Sequence, residues 1–208
     1  MNPKKNLVLA RCGSMIANYT PEESFAMADP TYSAALQRRL DDGVQWLLRH
    51  WLLLVNGGAI LYAGLPWLSP LAKASGHPLI GEFLFRIYTP LCHQLPERSF
   101  FVCGHQVGFC HRCVAMYTSI VVAGLLFGLL RRRIRPATLK IGGLLLLPIV
   151  IDGLTHMADD LSRLGFRGGG DAIGTLNFWL RMITGVLVGI TMLLVVYPRV
   201  ERDLRAAK

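Results

Sequence analysis

Charge is scarce in this sequence, and what there is lies in clusters. Asp, Glu, Lys and Arg make up 17% of the 208 residues against 52% hydrophobic, which is too apolar for an ordinary soluble domain. Acidic residues are the scarcer sign, 13 against 22 basic. The first residues, 1–11, carry lysines but no adequate apolar core. That excludes a secretory signal and leaves the first membrane segment to act as its own targeting signal. Nothing in residues 1–45 reads as a catalytic motif. The glycine-rich run from Gly165 to Asp171 lacks the Lys-Ser/Thr ending of a phosphate loop and follows no strand, so it reads as a flexible loop. Val114 stands where a c-type haem attachment needs a histidine after its second cysteine, which excludes that group.

Long apolar runs are what the chain does have. Residues 51–68, 114–130, 139–151 (extendable to 157) and 176–197 are nearly free of charge. Each approaches the ~20 residues a helix needs to cross a bilayer. Basic residues fall between them in a pattern. Lys4, Lys5, Arg11, Arg38, Arg39 and Arg49 precede the first run, Arg131, Arg132, Arg133 and Arg135 follow the second, and Arg199, Arg202, Arg205 and Lys208 follow the fourth. Short loops rich in Lys and Arg stay cytoplasmic, so four spans with both termini inside satisfy every cluster. The net charge of +9 then reflects topology and argues against a nucleic-acid partner.

The expected fold is an all-α polytopic protein of the cell (inner or plasma) membrane, with about four transmembrane helices and an extracytoplasmic Cys/His-rich loop. Residues 1–45 form a polar cytoplasmic tail, 46–198 the helical membrane domain and 199–208 a basic cytoplasmic tail. Its partners are the lipid bilayer and other membrane proteins. In the tail, Thr20-Pro21-Glu22-Glu23 has the form of a helix start. Asp29-Pro30 ends that helix, and another runs from Thr31 into the first span. Gly57, Gly58, Gly64, Thr184, Gly185 and Gly189 supply small surfaces for close helix contact. Residues 69–113 and 158–175 lie outside, with the short apolar segment 81–88 in the interface.

Between Cys92 and Cys113 fall four cysteines and three histidines. Thiolate and imidazole are the ligands that zinc and other soft or borderline divalent metals prefer. Cys110-x-x-Cys113 can clasp one ion, and a helix N-terminus favours its thiolates. Cys92-His93 offers a second clasp. The preferred set is Cys92, Cys110 and Cys113 with His93, then His156 as fourth ligand; His105, His111 and Cys103 are spare candidates. One or two structural disulfides remain an alternative, with three possible pairings, as does thiol exchange by Cys110 and Cys113. Cys12, on the inner tail, is expected to stay a free thiol.

Polar groups interrupt the last two spans. Asp152 and His156 stand four apart on one helix face, as do Asn177 and Arg181. Ionisable groups inside a bilayer are costly and face a partner or a wet cavity. A buried Asp152–Arg181 pair, holding the two spans in register, is preferred to a catalytic role. Glu97 and Arg98 read as a solvated turn, or Arg98 as the partner of Asp152 or a lipid phosphate. Asp152-Gly153 with later aspartates invites comparison with alcohol phosphotransferases of phospholipid synthesis. That family's Ala-Arg pair and regular Asp spacing are missing.

Four segments in order, PLCHQLPERSF from Pro90, CHRCVAMY from Cys110, DGLTH from Asp152 and NFWLRMITG from Asn177, resemble a prokaryotic family of small multi-pass membrane proteins. This is the domain-of-unknown-function family 2085, and the resemblance covers about residues 80–198. It implies a helical membrane domain with a Cys-His pair, a Cys-x-x-Cys pair and polar intramembrane residues, and it implies no activity. By matching motifs, Cys92, His93, Arg98, Ser99, Cys110, Cys113, Asp152, Asn177 and Arg181 carry over. In the family a Gln often stands where His156 is, and a Pro precedes the Cys-x-x-Cys pair where Gly108-Phe109 stand here. Cys103 falls outside the pattern. These departures favour Cys92, His93, Cys110 and Cys113 over His156 and Cys103.

Three functions follow as expectations. A closed Cys3His site has no open position and would stabilise a structural or accessory subunit, or an assembly factor, of a membrane complex. A three-ligand metal would serve an enzyme of the outer leaflet, with Asp152 or His156 as base. A redox or metal-relay protein would use Cys110 and Cys113 directly.

Overall fold

The computed structural model describes residues 30–162, 165, 167–168 and 170–206. The expected helix start at Thr20, the thiol of Cys12 and part of the expected flexible loop lie outside the described residues. The chain divides into two units, residues 1–50 and 51–208. Helix α1 (Pro30–Ala74) opens in the first unit, where proline suits the first turn because its missing N–H is not needed there. Within that unit the rings of Trp46 and His50 stack at 4.7 Å.

The second unit carries the rest. After α1 come a short helix α2 (Pro78–Arg86), one 3₁₀ turn (Pro96–Arg98) and an antiparallel hairpin of β1 (Ser99–Val102) and β2 (His105–Cys110). Helices α3 (His111–Leu130), α4 (Leu139–Ser162) and α5 (Leu176–Thr191) follow, and α5 passes through a π-helical turn (Met192–Val196) into α6 (Tyr197–Ala206). Among the described residues, four helical stretches are long and apolar enough to cross a membrane: Ala34–Ala74, His111–Leu130, Leu139–Ser162 and Leu176–Ala206. Each contains one of the four apolar runs and overshoots it, because helical hydrogen bonding continues past the last apolar side chain. Their flanks leave large apolar residues bare, Leu129 at 81% and Leu144 at 69%, as lipid-facing helices do.

The hairpin adds strand to the all-α expectation. Its turn, Cys103-Gly104, takes φ of 51° and 77°, a region that glycine enters freely and cysteine rarely. The hairpin seats on α1, where a Cβ on Gly108 would meet Pro66 Cβ at 3.3 Å. Segment α2 begins at Pro78, earlier than the expected 81. Beyond its end, the Tyr88 hydroxyl donates to the Tyr62 carbonyl at 3.0 Å. Buried side chains form two clusters. One joins Tyr88, Cys92, Phe109 and Val114 with Tyr62 and Tyr117 beside them. The other joins Ala123, Phe127 and Tyr197 with Trp51.

Helices α3 and α5 approach closely. A Cβ on Gly185 would lie 2.8 Å from Ala115 Cβ, and one on Gly189 would lie 2.5 Å from the Ser119 carbonyl. Two glycines four apart give a face with no side chains, so the backbones can touch. This contact sets the start of α3 against the start of α5, where the end of α4 also arrives.

Candidate metal centre and its cavity

Cys110 ends β2 and caps α3, with φ −74° and ψ 164°. Cys113 lies one turn further on the same side of the helix. Cys92 is brought over by the turn after α2, in which the N–H groups of Leu91 and Cys92 both donate to the Tyr88 carbonyl at 3.0 Å. The Cys110 N–H donates to Cys92 Sγ at 3.2 Å. The three sulfurs lie within 4.8 Å of one another. Cys92, Cys103, Cys110 and Cys113 are all free thiols. Tetrahedral zinc with Zn–S near ~2.3 Å spaces its sulfurs by roughly 3.8 Å, so the group is about the right size for one ion. Hydrogen bonds from Cys113 and Cys92 lower the Cys110 thiol below its ordinary value, favouring a thiolate there. The same shared bonding with Cys110, together with burial, raises Cys92.

Among the described residues, no histidine joins this group of sulfurs. His93 follows Cys92 but is exposed where Cys92 is buried. His105 sits in β2, and Cys103 is exposed at the hairpin tip. The His111 ring lies edge-on to Phe100 and Phe178, at 4.6 and 4.9 Å. His156 belongs to the charge network described next.

Asp152 is buried and receives Arg112 Nη2 at 2.5 Å and Arg167 Nη1 at 2.8 Å. The expected Asp152–Arg181 pair is therefore replaced. Arg181 stands at the level of His156, one turn beyond Asp152, and its Nη2 lies 2.7 Å from His156 Nε2. It forms its ion pair with Asp171 from the α4–α5 loop. Arg98 is neither a solvated turn residue nor the partner of Asp152. It grips Asp160 with both Nη atoms at 3.1 and 3.0 Å, and Asp171 through Nε at 2.6 Å. Burial alone would raise the Asp171 carboxyl, but the bonds from Arg181 and Arg98 hold it below the usual carboxylate value.

The remaining predicted residues brace the loops. Asn177 Nδ2 donates to the carbonyls of Arg167 and Gly170 at 2.9 and 3.0 Å. Ser99 Oγ donates to the Leu95 carbonyl at 2.8 Å and accepts from Gln106 at 3.0 Å. Sequence reasoning missed Arg112, Arg167, Asp171 and Gln94. Gln94 is buried at φ 50°, and its amide donates to the Phe85 and Gly108 carbonyls at 2.8 Å. Arg112 had a visible signal, a cation inside the Cys-x-x-Cys pair.

Beside the sulfurs opens a cavity of about 640 Å³. Cys92, Cys110 and Cys113 line it together with Arg98, Arg112, Arg181 and His156.

Four apolar helices joined by a polar, cysteine-bearing cap define a polytopic membrane protein. Residues 92–195 match the family described as "Predicted membrane protein (DUF2085)", and the chain belongs to that family. It is similar to an uncharacterised protein of Methanocaldococcus jannaschii, 27% identical over 72% of this chain and 92% of that one. It is also similar to an uncharacterised protein of Methanothermobacter thermautotrophicus, 32% identical over 48% of this chain and 78% of that one. No solved structure matches the chain.

Proposed function

We propose that this protein holds a zinc ion, or another soft divalent metal, on Cys92, Cys110 and Cys113 at the outer face of the cell membrane, with both termini in the cytoplasm. The observation that carries the reading is the gathering of three unjoined sulfurs within 4.8 Å. The Arg131–Arg135 cluster and the basic chain end support the orientation.

Three protein ligands leave a fourth position, and the cavity beside the sulfurs supports its use by an outside ligand. That favours an exchangeable, substrate-binding centre of the outer leaflet over a closed structural site in an accessory subunit. Zinc held this way supplies Lewis-acid polarisation of a bound oxygen. For moving a proton in the cavity His156 suits better than Asp152, because Asp152 is consumed by two guanidinium groups, while His156 meets one, Arg181.

Metal analysis of protein purified in detergent tests this. The expected result is one zinc per chain, lost in Cys110→Ser and Cys113→Ser. Metal-free protein that folds normally refutes it. His93 also lines the cavity, so His93→Ala separates the two forms of the centre. Retained zinc, with three sulfurs and one oxygen by X-ray absorption, supports the open site, and loss of zinc supports the closed one.

A further inference from the structure

We infer that the cavity beside the three cysteines is a binding site for a phosphate-type oxyanion, held by Arg98, Arg112 and Arg181. The inference deepens the reading above, since it names what the cavity takes, but the arginines bind with or without the metal.

The lining presents guanidinium groups, with two of their three carboxylate partners set behind them. Three arginines face one carboxylate, Asp160, while Asp152 and Asp171 are absent from the lining and stand behind the guanidinium groups they orient.

The arginines also have donors to spare. A guanidinium presents five N–H groups and accepts none. Arg181 is 2% exposed, yet its Nη1 has no hydrogen-bond partner, and Arg112 Nε and His156 Nδ1 are likewise buried and unpartnered. Leaving buried charged donors unsatisfied is costly. A negatively charged ligand rich in acceptor oxygens satisfies them once the guanidinium groups turn toward the cavity that they line. Phosphate oxygens suit planar guanidinium groups, which bind them two at a time.

Size and rim narrow the ligand further. A cavity of about 640 Å³ is in the range that holds whole organic ligands, well above a single inorganic ion. Leu91, Met157 and Leu161 line it and are 62%, 62% and 85% exposed, an apolar edge continuous with the lipid-facing surface. A phosphate carried on a lipid headgroup meets both the cationic wall and the apolar edge, while free phosphate meets only the first.

The test uses the full chain in maltoside micelles, which bring no phosphate of their own. Inorganic phosphate and phosphatidylglycerol are titrated separately, with ³¹P line broadening as the readout, and zinc is measured on the same samples. Binding of phosphatidylglycerol alone supports the oxyanion site with a lipid source. Binding of both supports it with a free phosphate admitted as well. Arg98→Gln and Arg112→Gln should each weaken binding at least ~10-fold, the loss of one charge-assisted contact, while zinc content stays unchanged. Failure of both ligands to bind, or binding unchanged in both variants, overturns the inference. Absence of zinc with binding intact would instead remove the metal reading and leave this one standing.

Discussion

Asp152 shows how a buried charge is made tolerable and what removing it does. Its carboxylate is the shared acceptor for Arg112 from α3 and Arg167 from the α4–α5 loop. Asp152→Asn leaves both guanidinium groups without their counter-charge, and breaking a buried pair this way costs about 3–5 kcal/mol. The expected result is a large fall in thermal unfolding temperature, read by intrinsic fluorescence in detergent. An unchanged midpoint would show the network carries no stability. Asp171 gives a pH signature. Its folded pKa lies below the unfolded one, so its contribution is full above the ordinary carboxylate value of about 4 and is lost as pH falls through the lowered folded value. The gap in unfolding temperature between wild type and Asp171→Asn should be constant from pH 8 to about 5 and should close below about 4. Cys92, Cys110 and Cys113 were expected to gather, and their sulfurs do; for Cys110 and Cys113 a Cys-x-x-Cys pair at a helix start needs no long-range information. Sequence reasoning misplaces the partners of Asp152 and Arg181. Several arginines and aspartates lie near one end of the spans, and which pairs form depends on loop paths that hydropathy does not encode.

At the scale of elements, the α3–α5 contact holds in place the helix that Cys110 caps and that carries Cys113. Gly185 lies against Arg112 O at 2.9 Å and Met116 N at 3.0 Å, measured from where its Cβ would be. A methyl there, or on Gly189, meets backbone, which cannot rotate aside. Alanine normally gains about 1 kcal/mol over glycine inside a helix, but overpacking costs about 1–3 kcal/mol, and at 2.5 Å from Ser119 the clash wins. Gly189→Ala should therefore lower the unfolding temperature, whereas Gly143→Ala, with nothing within 4 Å, should hold or raise it. Equal effects would mean the helices are not packed through these glycines. The small-residue face was legible from Gly185 and Gly189 alone, since their spacing matches the helix repeat. The hairpin was not. Its strands have four and six residues, and its Ser99–Cys110 register depends on Gln94 and Gln106 tying the loop across, a signal with no periodicity.

For the whole molecule, the spans were readable because the bilayer imposes a length and forbids charge, and both constraints act on contiguous sequence. Orientation rests on charge placement alone, so it is the property to measure in intact cells. Cys103 is the suitable reporter. It is exposed at the hairpin turn, far in sequence from either basic cluster, and its thiol is not one of the three gathered sulfurs. A membrane-impermeant maleimide should label wild-type protein in intact cells, and Cys103→Ser should remove that labelling. Cys92 is buried, while Cys110 and Cys113 are half-buried; a metal on the three sulfurs would shield them further. A chelator added outside should then open new labelling in the Cys103→Ser protein, linking orientation and metal in one experiment. Labelling that appears only after the membrane is permeabilised would put the hairpin on the cytoplasmic side. It would reverse the topology drawn from the arginine clusters and place the cavity, with its three cysteines, in the reducing compartment.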